Sequence, residues 1–141
     1  MRINTKLSVA LHCLIFIAVK QEQIKITSDI LSETTGCNAV LIRRLLNALQ
    51  KAGIITTARG VGGTRLVKAP SDLTLYDIYE AIEPEEARHF IGIHPKPSEH
   101  CSVGKNIKDI LSSAYDEVEA AAFDAMKKIT LQQLIDRYNF E

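Results

Sequence analysis

The stretch that decides the fold runs from Asn38 to Leu66 and reads NAVLIRRLLNALQKAGIITTARGVGGTRL. In its first half, four apolar residues fall within one arc at about 100° per residue, which predicts an amphipathic helix. They are Ile42, Leu45, Leu46 and Leu49. The other side of that helix carries Val40, Arg43, Arg44, Asn47 and Lys51. After Gly53 the sequence predicts two short β-strands around a glycine-rich turn, so an arginine-bearing helix leads into a basic hairpin.

A tight turn precedes this helix. The segment ITSDILSETTG predicts a short second helix that buries Ile30 and Leu31 and ends at Gly36, because glycine suits a left-handed helix end. Only Cys37 separates Gly36 from Asn38, which is a good N-cap for the next helix. Two helices joined this closely indicate a helix-turn-helix, and a hairpin after it predicts a winged helix.

Further helices flank this unit. Thr5 is expected to cap a first helix, in which apolar residues between Leu7 and Ala18 recur at intervals of three and four. The segment LTLYDIYEAIE also has helical spacing and predicts a fourth helix that ends before Pro84. We therefore expect residues 1–83 to form a winged helix-turn-helix domain, with the core ending there.

The remaining residues divide into a loop and two helices. Residues 84–104 contain three prolines and three of the four histidines without sustained periodicity, and we interpret them as a loop and candidate sensor region. From Lys105 to Ala125 an apolar stripe continues for about five turns, which is longer than a small domain needs. A last short helix, capped by Thr130, completes residues 105–141. The predicted fold class is mainly α with a small β-hairpin, the long C-terminal helix holding a symmetric dimer.

Charge is unevenly distributed along the 141 residues, although the formal net charge is zero. The first 70 residues carry 10 Lys and Arg against 3 Asp and Glu, whereas the last 71 carry 7 against 14. We therefore expect the first half to meet an anion. No apolar run reaches the roughly 18 residues of a spanning helix, and no signal-peptide pattern follows the first apolar stretch, which favours a cytoplasmic protein without a membrane partner. Cys13, Cys37 and Cys101 are widely spaced and predict free thiols.

The third helix carries the groups that suit DNA recognition. An arginine fork gives two hydrogen bonds to guanine or to a phosphate and stays charged at every relevant pH. Arg43 and Arg44 are the candidates for the major groove, with Asn47 on the same face. Near the helix start, Asn38 is a candidate phosphate contact and Val40 a candidate contact to a thymine methyl.

The hairpin supplies the second group of candidates. Arg59 at its tip is expected to enter a narrow minor groove, where negative potential is concentrated. Thr64 and Arg65 are expected to brace phosphates. The glycines that permit positive φ and close backbone approach are Gly60, Gly62 and Gly63. An exposed arginine pair or a glycine turn, taken alone, is also typical of an ordinary surface; their order and spacing together favour DNA binding.

Three motifs resemble the Rrf2 family of winged-helix bacterial transcription regulators: KAGI at 51–54, RGVGG at 59–63 and TLYDI at 74–78. The likeness is dense over residues 1–83 and looser along the long helix. It implies a homodimer on a palindromic operator of double-stranded DNA, with the third helix in the major groove and Arg59 at the minor groove. It also implies phosphate contacts near the start of the first helix, at Thr5 and Lys6.

The loop departs from the family pattern. Many members hold an iron–sulfur cluster through three closely spaced cysteines there, whereas this loop offers only Cys101, so we expect no cofactor. Three alternatives stay open: zinc bound by His94, His100 and Cys101; Cys101 as a redox sensor with a pKa lowered by the helix start; or a plain polar loop. The effector is not predicted.

The sequence thus predicts a transcription regulator without catalytic activity. Repression is the simplest mode, because a protein bound at a promoter blocks polymerase sterically. One alternative is a winged helix that contacts other proteins and not DNA. Another is an enzyme that uses Cys101 with His94 or His100, but no motif of an orienting carboxylate or an oxyanion site accompanies them.

Overall fold

The structure is a computed structural model that describes residues 5–58, 63–85, 88–89 and 91–140. The helices and strands follow the order expected of a winged helix, with a short 3-10 helix at Pro70–Asp72 before the fourth α-helix. The α-helices are α1 Lys6–Lys20, α2 Ser28–Thr35, α3 Ala39–Lys51, α4 Leu75–Ile82, α5 Ser102–Met126 and α6 Leu131–Ile135. The strands are β1 Ile55–Ala58 and β2 Gly63–Leu66. The mainly α fold with one hairpin and a long C-terminal helix confirms the predicted fold class.

The helix-turn-helix is built by local capping. The Thr27 hydroxyl accepts a hydrogen bond from the Ile30 amide at 3.3 Å and begins α2. Gly36 ends α2 with φ +71°, a left-handed conformation that costs glycine no steric clash. Two residues later Asn38 Oδ1 accepts from the Leu41 amide at 2.9 Å and begins α3. The turn therefore lies where the sequence predicted it.

The core gathers one side of each helix of the N-terminal unit. All four apolar residues predicted for α3 are buried, and α1 contributes Ala10, Cys13, Leu14 and Ile17. Two local expectations were wrong. Ile30 is only half-buried, whereas Ile26 in the preceding linker is buried. Thr5 lies at the N-cap position of α1 as expected, but its side chain makes no capping hydrogen bond.

The hairpin is a two-stranded antiparallel ladder, paired from Ile55↔Leu66 to Ala58↔Gly63. Ile54 and Ile55 are buried at its base, and the Val67 amide donates to the Ile54 carbonyl at 2.9 Å. The ladder therefore rises from the core as a wing beside α3.

The C-terminal helix α6 returns to the core. Leu131 is fully buried, Thr74 and Thr130 form an isolated β-bridge, and the Leu131 amide donates to the Leu73 carbonyl at 2.8 Å. Both threonines also close capping boxes at the starts of their helices. The expectation that the core ends near residue 83 was therefore wrong, since a residue 48 positions later along the sequence belongs to it.

The long helix α5 has 25 residues, and Glu119 is its one buried residue. Glu119 Oε2 lies 3.0 Å from His89 Nδ1, and Phe123 packs against the rings of Tyr76 and Tyr79 of α4. Most of the predicted apolar stripe is open to solvent in the single chain, including Ile110 at 56% exposure and Val118 at 51%. Among the described residues, no helix is long and apolar enough to cross a membrane.

Candidate nucleic-acid interface

The outer face of α3 presents its polar groups to solvent. Arg43, Arg44 and Asn47 are exposed, as is Val40, whose side chain is 54% accessible. The opposite face is held in the core by four buried aliphatic side chains. The helix is therefore a rigid base for side chains that project outward, as the sequence predicted.

An open cleft lies beside this face, between α3, the start of α2 and the wing. Arg43 and Asn47 line it together with residues that sequence reasoning missed. Those residues are Lys25, Ser28 and Thr57. Their signal was weak, because each lies on a different element and only the tertiary fold brings them beside α3. The cleft combines cations with hydroxyl groups, a set that suits the sugar-phosphate backbone of DNA.

The three candidate phosphate contacts at the starts of α3 and α1 differ in exposure and in hydrogen bonding. Asn38 is exposed, but its side-chain oxygen is engaged in capping α3, so its free groups toward a phosphate are its amide nitrogens. Thr5 is exposed at the start of α1, and Lys6 beside it is half-buried.

The wing is described up to its tip. Arg59, Gly60 and Gly62 lie outside the described residues, and their roles stay predictions. Gly63 has φ +64°, and a Cβ there would lie 2.7 Å from the Ile26 carbonyl oxygen. Glycine is thus required where β2 passes the linker between α1 and α2.

The two remaining candidates in β2 are engaged within the protein. Thr64 is buried, with 4% exposure, so its hydroxyl does not lie on the outer surface. The Arg65 guanidinium donates to the Gln21 carbonyl at 2.9 Å and pairs with the Glu22 carboxylate. The Arg65 guanidinium therefore ties the wing to the linker between α1 and α2, while Thr64, although largely buried, lines the cleft beside α3. The phosphate contacts predicted for both residues stay predictions.

The loop before α5 places Cys101 at the N-cap position of that helix, fully exposed. Hydrogen bonds from the backbone amides of Gly104 and Val103 lower the pKa of its thiol. In contrast, burial and the nearby Cys37 raise the pKa of Cys13 to about 12. The thiols of Cys101 and Cys13 thus differ strongly in their readiness to ionise. The redox role of Cys101 stays a prediction.

The donor set does not fit an iron–sulfur cluster. Cys13 lies inside the core, Cys37 is half-buried in the turn between α2 and α3, and only Cys101 lies in the loop. Within the part of the chain that the structure describes, no three His, Cys, Asp or Glu side chains are grouped to hold a metal ion, and His94 and His100 are exposed.

Known proteins share both the sequence and this architecture. The Rrf2 family model, described as an iron-dependent transcriptional regulator, matches residues 3–137. The chain is 31% identical over 134 residues to YwnA of Bacillus subtilis (strain 168), named an HTH-type transcriptional regulator, and the match covers 95% of this chain and 97% of that protein.

Two solved structures show the same fold. A transcriptional regulator from Lactobacillus plantarum is 27% identical with a TM-score of 0.73, covering 92% of this chain and 87% of that one. CymR, the global cysteine regulator of B. subtilis, is 20% identical with a TM-score of 0.70, covering 99% of each chain. The CymR likeness concerns the fold alone.

The fold and its exposed basic helix define a winged helix-turn-helix DNA-binding protein of the transcription-regulator class. The chain belongs to the Rrf2 family of transcriptional regulators. The resemblance seen in the three sequence motifs is therefore confirmed, and the two relatives YwnA and the L. plantarum protein are both named transcriptional regulators.

Proposed function

We propose that this protein binds a palindromic operator as a homodimer and represses transcription there. The observation that carries the proposal is the outer face of α3, where Arg43, Arg44 and Asn47 are exposed on a helix fixed in the core. Phosphate contacts supply salt-dependent affinity, and each bidentate base contact contributes about 1 to 3 kcal/mol of discrimination.

In this proposal α3 enters the major groove and Arg59 the adjoining minor groove. The cleft between them faces the sugar-phosphate backbone, where Lys25 and Ser28 meet a phosphate. Thr5 and Lys6, at the start of α1, meet the backbone on the other side of the groove. Base contacts set the sequence preference, and the remaining contacts set orientation.

The dimer forms through α5, whose aliphatic residues are exposed in the single chain. A helix with an apolar stripe of this length is stabilised when a second copy covers it. A twofold axis between two copies of α3 requires half-sites about 34 to 36 Å apart, and therefore a palindromic operator. Such a dimer across a promoter represses by blocking polymerase.

The proposal is tested by selecting genomic fragments with the purified protein and measuring affinity by fluorescence anisotropy at several salt concentrations. Affinity should fall at least tenfold between about 50 and 200 mM salt, because counterions are released on binding. Replacing both Arg43 and Arg44 with alanine should weaken binding at least tenfold. The matched control is Arg137→Ala, an exposed arginine in the acidic half of the chain, which should leave affinity unchanged.

Salt-insensitive binding, or no selected fragment at all, would contradict the proposal. In that case the winged helix would act as a protein–protein module.

A further inference from the structure

We propose that Arg65, Glu22 and Gln21 form a latch that sets the orientation of the wing toward DNA. Arg65 would then act in recognition as a positioning residue and not by contacting a phosphate. The inference rests on the proposed function, because it requires the wing to contact the minor groove.

The latch joins β2 to the linker between α1 and α2. Alternate residues of a strand point to one side, and both Gly63 and Arg65 are directed at this linker. The Arg65 guanidinium donates to the Gln21 carbonyl at 2.9 Å and pairs with the Glu22 carboxylate. The Leu66 amide donates to Gln21 Oε1, also at 2.9 Å.

The neighbouring residues Gly63 and Thr64 form a second contact between β2 and the same linker. The Thr64 amide donates to the Ile26 carbonyl at 2.9 Å, and the close passage of Gly63 leaves no space there for a side chain. An isolated two-stranded hairpin is only marginally stable, so its direction depends on such contacts. The Thr56↔Arg65 pair lies roughly 7 Å along the ladder from Ala58↔Gly63, the last described pair before the tip. Two separated contacts set the direction of the ladder, and without the latch the ladder can pivot about the contact of Gly63 and Thr64 with Ile26.

The exposure of the Arg65–Glu22 ion pair indicates that it orients the wing more than it stabilises the fold. The Arg65 side chain is 38% exposed and that of Glu22 is 76% exposed, so this ion pair contributes little to the free energy of unfolding. Its partners are 43 positions apart in the sequence, and it therefore ties together two elements that only the tertiary fold makes neighbours.

Replacing Glu22 gives the sharpest test, because repulsion of phosphates and orientation of the wing predict opposite changes in DNA affinity. It is one of only 3 acidic residues among the first 70, so removing its charge should strengthen DNA binding if Glu22 merely repels phosphates. If Glu22 holds the wing through Arg65, Glu22→Ala should instead weaken operator binding about two- to fivefold, because the wing loses its preorganised direction and an exposed ion pair supplies no more than that.

The matched control is Glu33→Ala, which removes an exposed acidic charge from α2 in the same half of the chain. It should bind the operator as tightly as the parent or more tightly. Thermal unfolding of all variants verifies that the fold is intact. Operator binding by Glu22→Ala as tight as that of Glu33→Ala would overturn the latch.

Arg65→Ala distinguishes the latch from a phosphate contact. The latch predicts that Arg65→Ala and the double variant lose the same affinity, because Glu22 has no partner once Arg65 is gone. Glu22→Ala should lose no more than these two, since it leaves the hydrogen bond from Arg65 to the Gln21 carbonyl. A direct phosphate contact predicts a loss in Arg65→Ala that adds to any Glu22 effect and lowers the salt slope by about one. The charge exchange of Glu22→Arg with Arg65→Glu should recover part of the latch-dependent affinity.

Arg59→Ala separates failure of the latch from failure of the wing. If the wing enters the minor groove, Arg59→Ala weakens binding at least tenfold, and adding Glu22→Ala causes little further loss. Unchanged affinity in Arg59→Ala would overturn both the wing contact and the latch. A tenfold loss in Arg59→Ala with none in Glu22→Ala would overturn the latch alone.

Discussion

Arg43 and Arg65 both belong to the basic half of the chain, yet the structure gives their guanidinium groups different surroundings. Arg43 is exposed and lines an open cleft beside α3, whereas Arg65 is paired with Glu22 and with the Gln21 carbonyl. A cation that is already hydrogen-bonded within the protein gains less from a phosphate than an exposed one. Arg43 is therefore a candidate for contacting bases, whereas Arg65 is a candidate for positioning the wing.

Arg43→Ala should relax the preference for one base pair in each operator half-site. The change removes a fork able to bind a base edge bidentately, at a cost of about 1 to 3 kcal/mol in discrimination. The measurement is affinity for a set of operators with single base-pair substitutions. An equal loss on every sequence would instead identify Arg43 as a phosphate contact.

The thiols should react in a fixed order with iodoacetamide. Since thiolates are the reactive species, Cys101, with its lowered pKa and full exposure, should be alkylated well before Cys13, whose pKa is raised to about 12. Peptide mapping by mass spectrometry near pH 7.5 should find Cys13 modified only after denaturation. Equal rates at the two sites in the folded protein would contradict this order.

Short-range chemistry explains which residue roles the sequence predicted. The caps at Thr27 and Asn38 and the glycine end at Gly36 depend on residues within three or four positions, so the sequence alone revealed them. The pairing of Arg65 with Glu22 crosses 43 positions and follows from how β2 docks on the linker, which no local pattern encodes. The sequence therefore predicted a phosphate contact at Arg65, which stays a prediction, and gave no sign of the pairing with Glu22.

At the scale of elements, the wing depends on the linker between α1 and α2. The Gly63 backbone passes so close to Ile26 that a Cβ would lie 2.7 Å from its carbonyl oxygen and 2.9 Å from its nitrogen. The sequence predicted positive φ and close backbone approach at Gly63 without identifying what it approaches, DNA or the protein itself. The structure shows φ +64° and a close approach to Ile26. The same residue type thus suited two interpretations, and only tertiary contacts separated them.

Gly63→Ala should lower the free energy of unfolding by about 1 to 3 kcal/mol. The change imposes a left-handed conformation on alanine and forces β2 away from the linker. Chemical denaturation at a fixed protein concentration measures it. Gly92→Ala is the matched control, because a Cβ there meets nothing within 4 Å, and it should change the midpoint little. Equal stability of the two variants would show that the wing shifts at no cost.

At the scale of the whole molecule, α5 is the element that a single chain leaves incomplete. Its contacts with the domain are concentrated near Tyr76, Tyr79 and His89, while aliphatic side chains farther along it are exposed. The sequence predicted this stripe from its period, and the structure shows that its own domain does not cover it. Dimerisation through α5 stays a prediction that mutagenesis can test.

Ile110→Glu should convert the dimer to a monomer and reduce operator affinity at least tenfold, because a charge would be placed in an apolar contact between copies. Ile110 is 56% exposed in the single chain, so its domain should still fold. Lys108→Glu, two positions away on the opposite side of the helix, is the matched control. Analytical ultracentrifugation measures the mass. A dimer that persists with Ile110→Glu would place the interface elsewhere.

The return of α6 to the core has a mechanical consequence. After α4 the chain leaves the winged-helix unit and forms α5. It contacts the core again through the Thr74–Thr130 bridge and the buried side chain of Leu131. Because α6 is fixed in the core and Phe123 packs on α4, the C-terminal end of α5 cannot swing freely relative to the domain. We therefore expect a signal that changes the spacing between the two copies of α3 in the dimer to shift one subunit relative to the other. Each subunit would move as a rigid body.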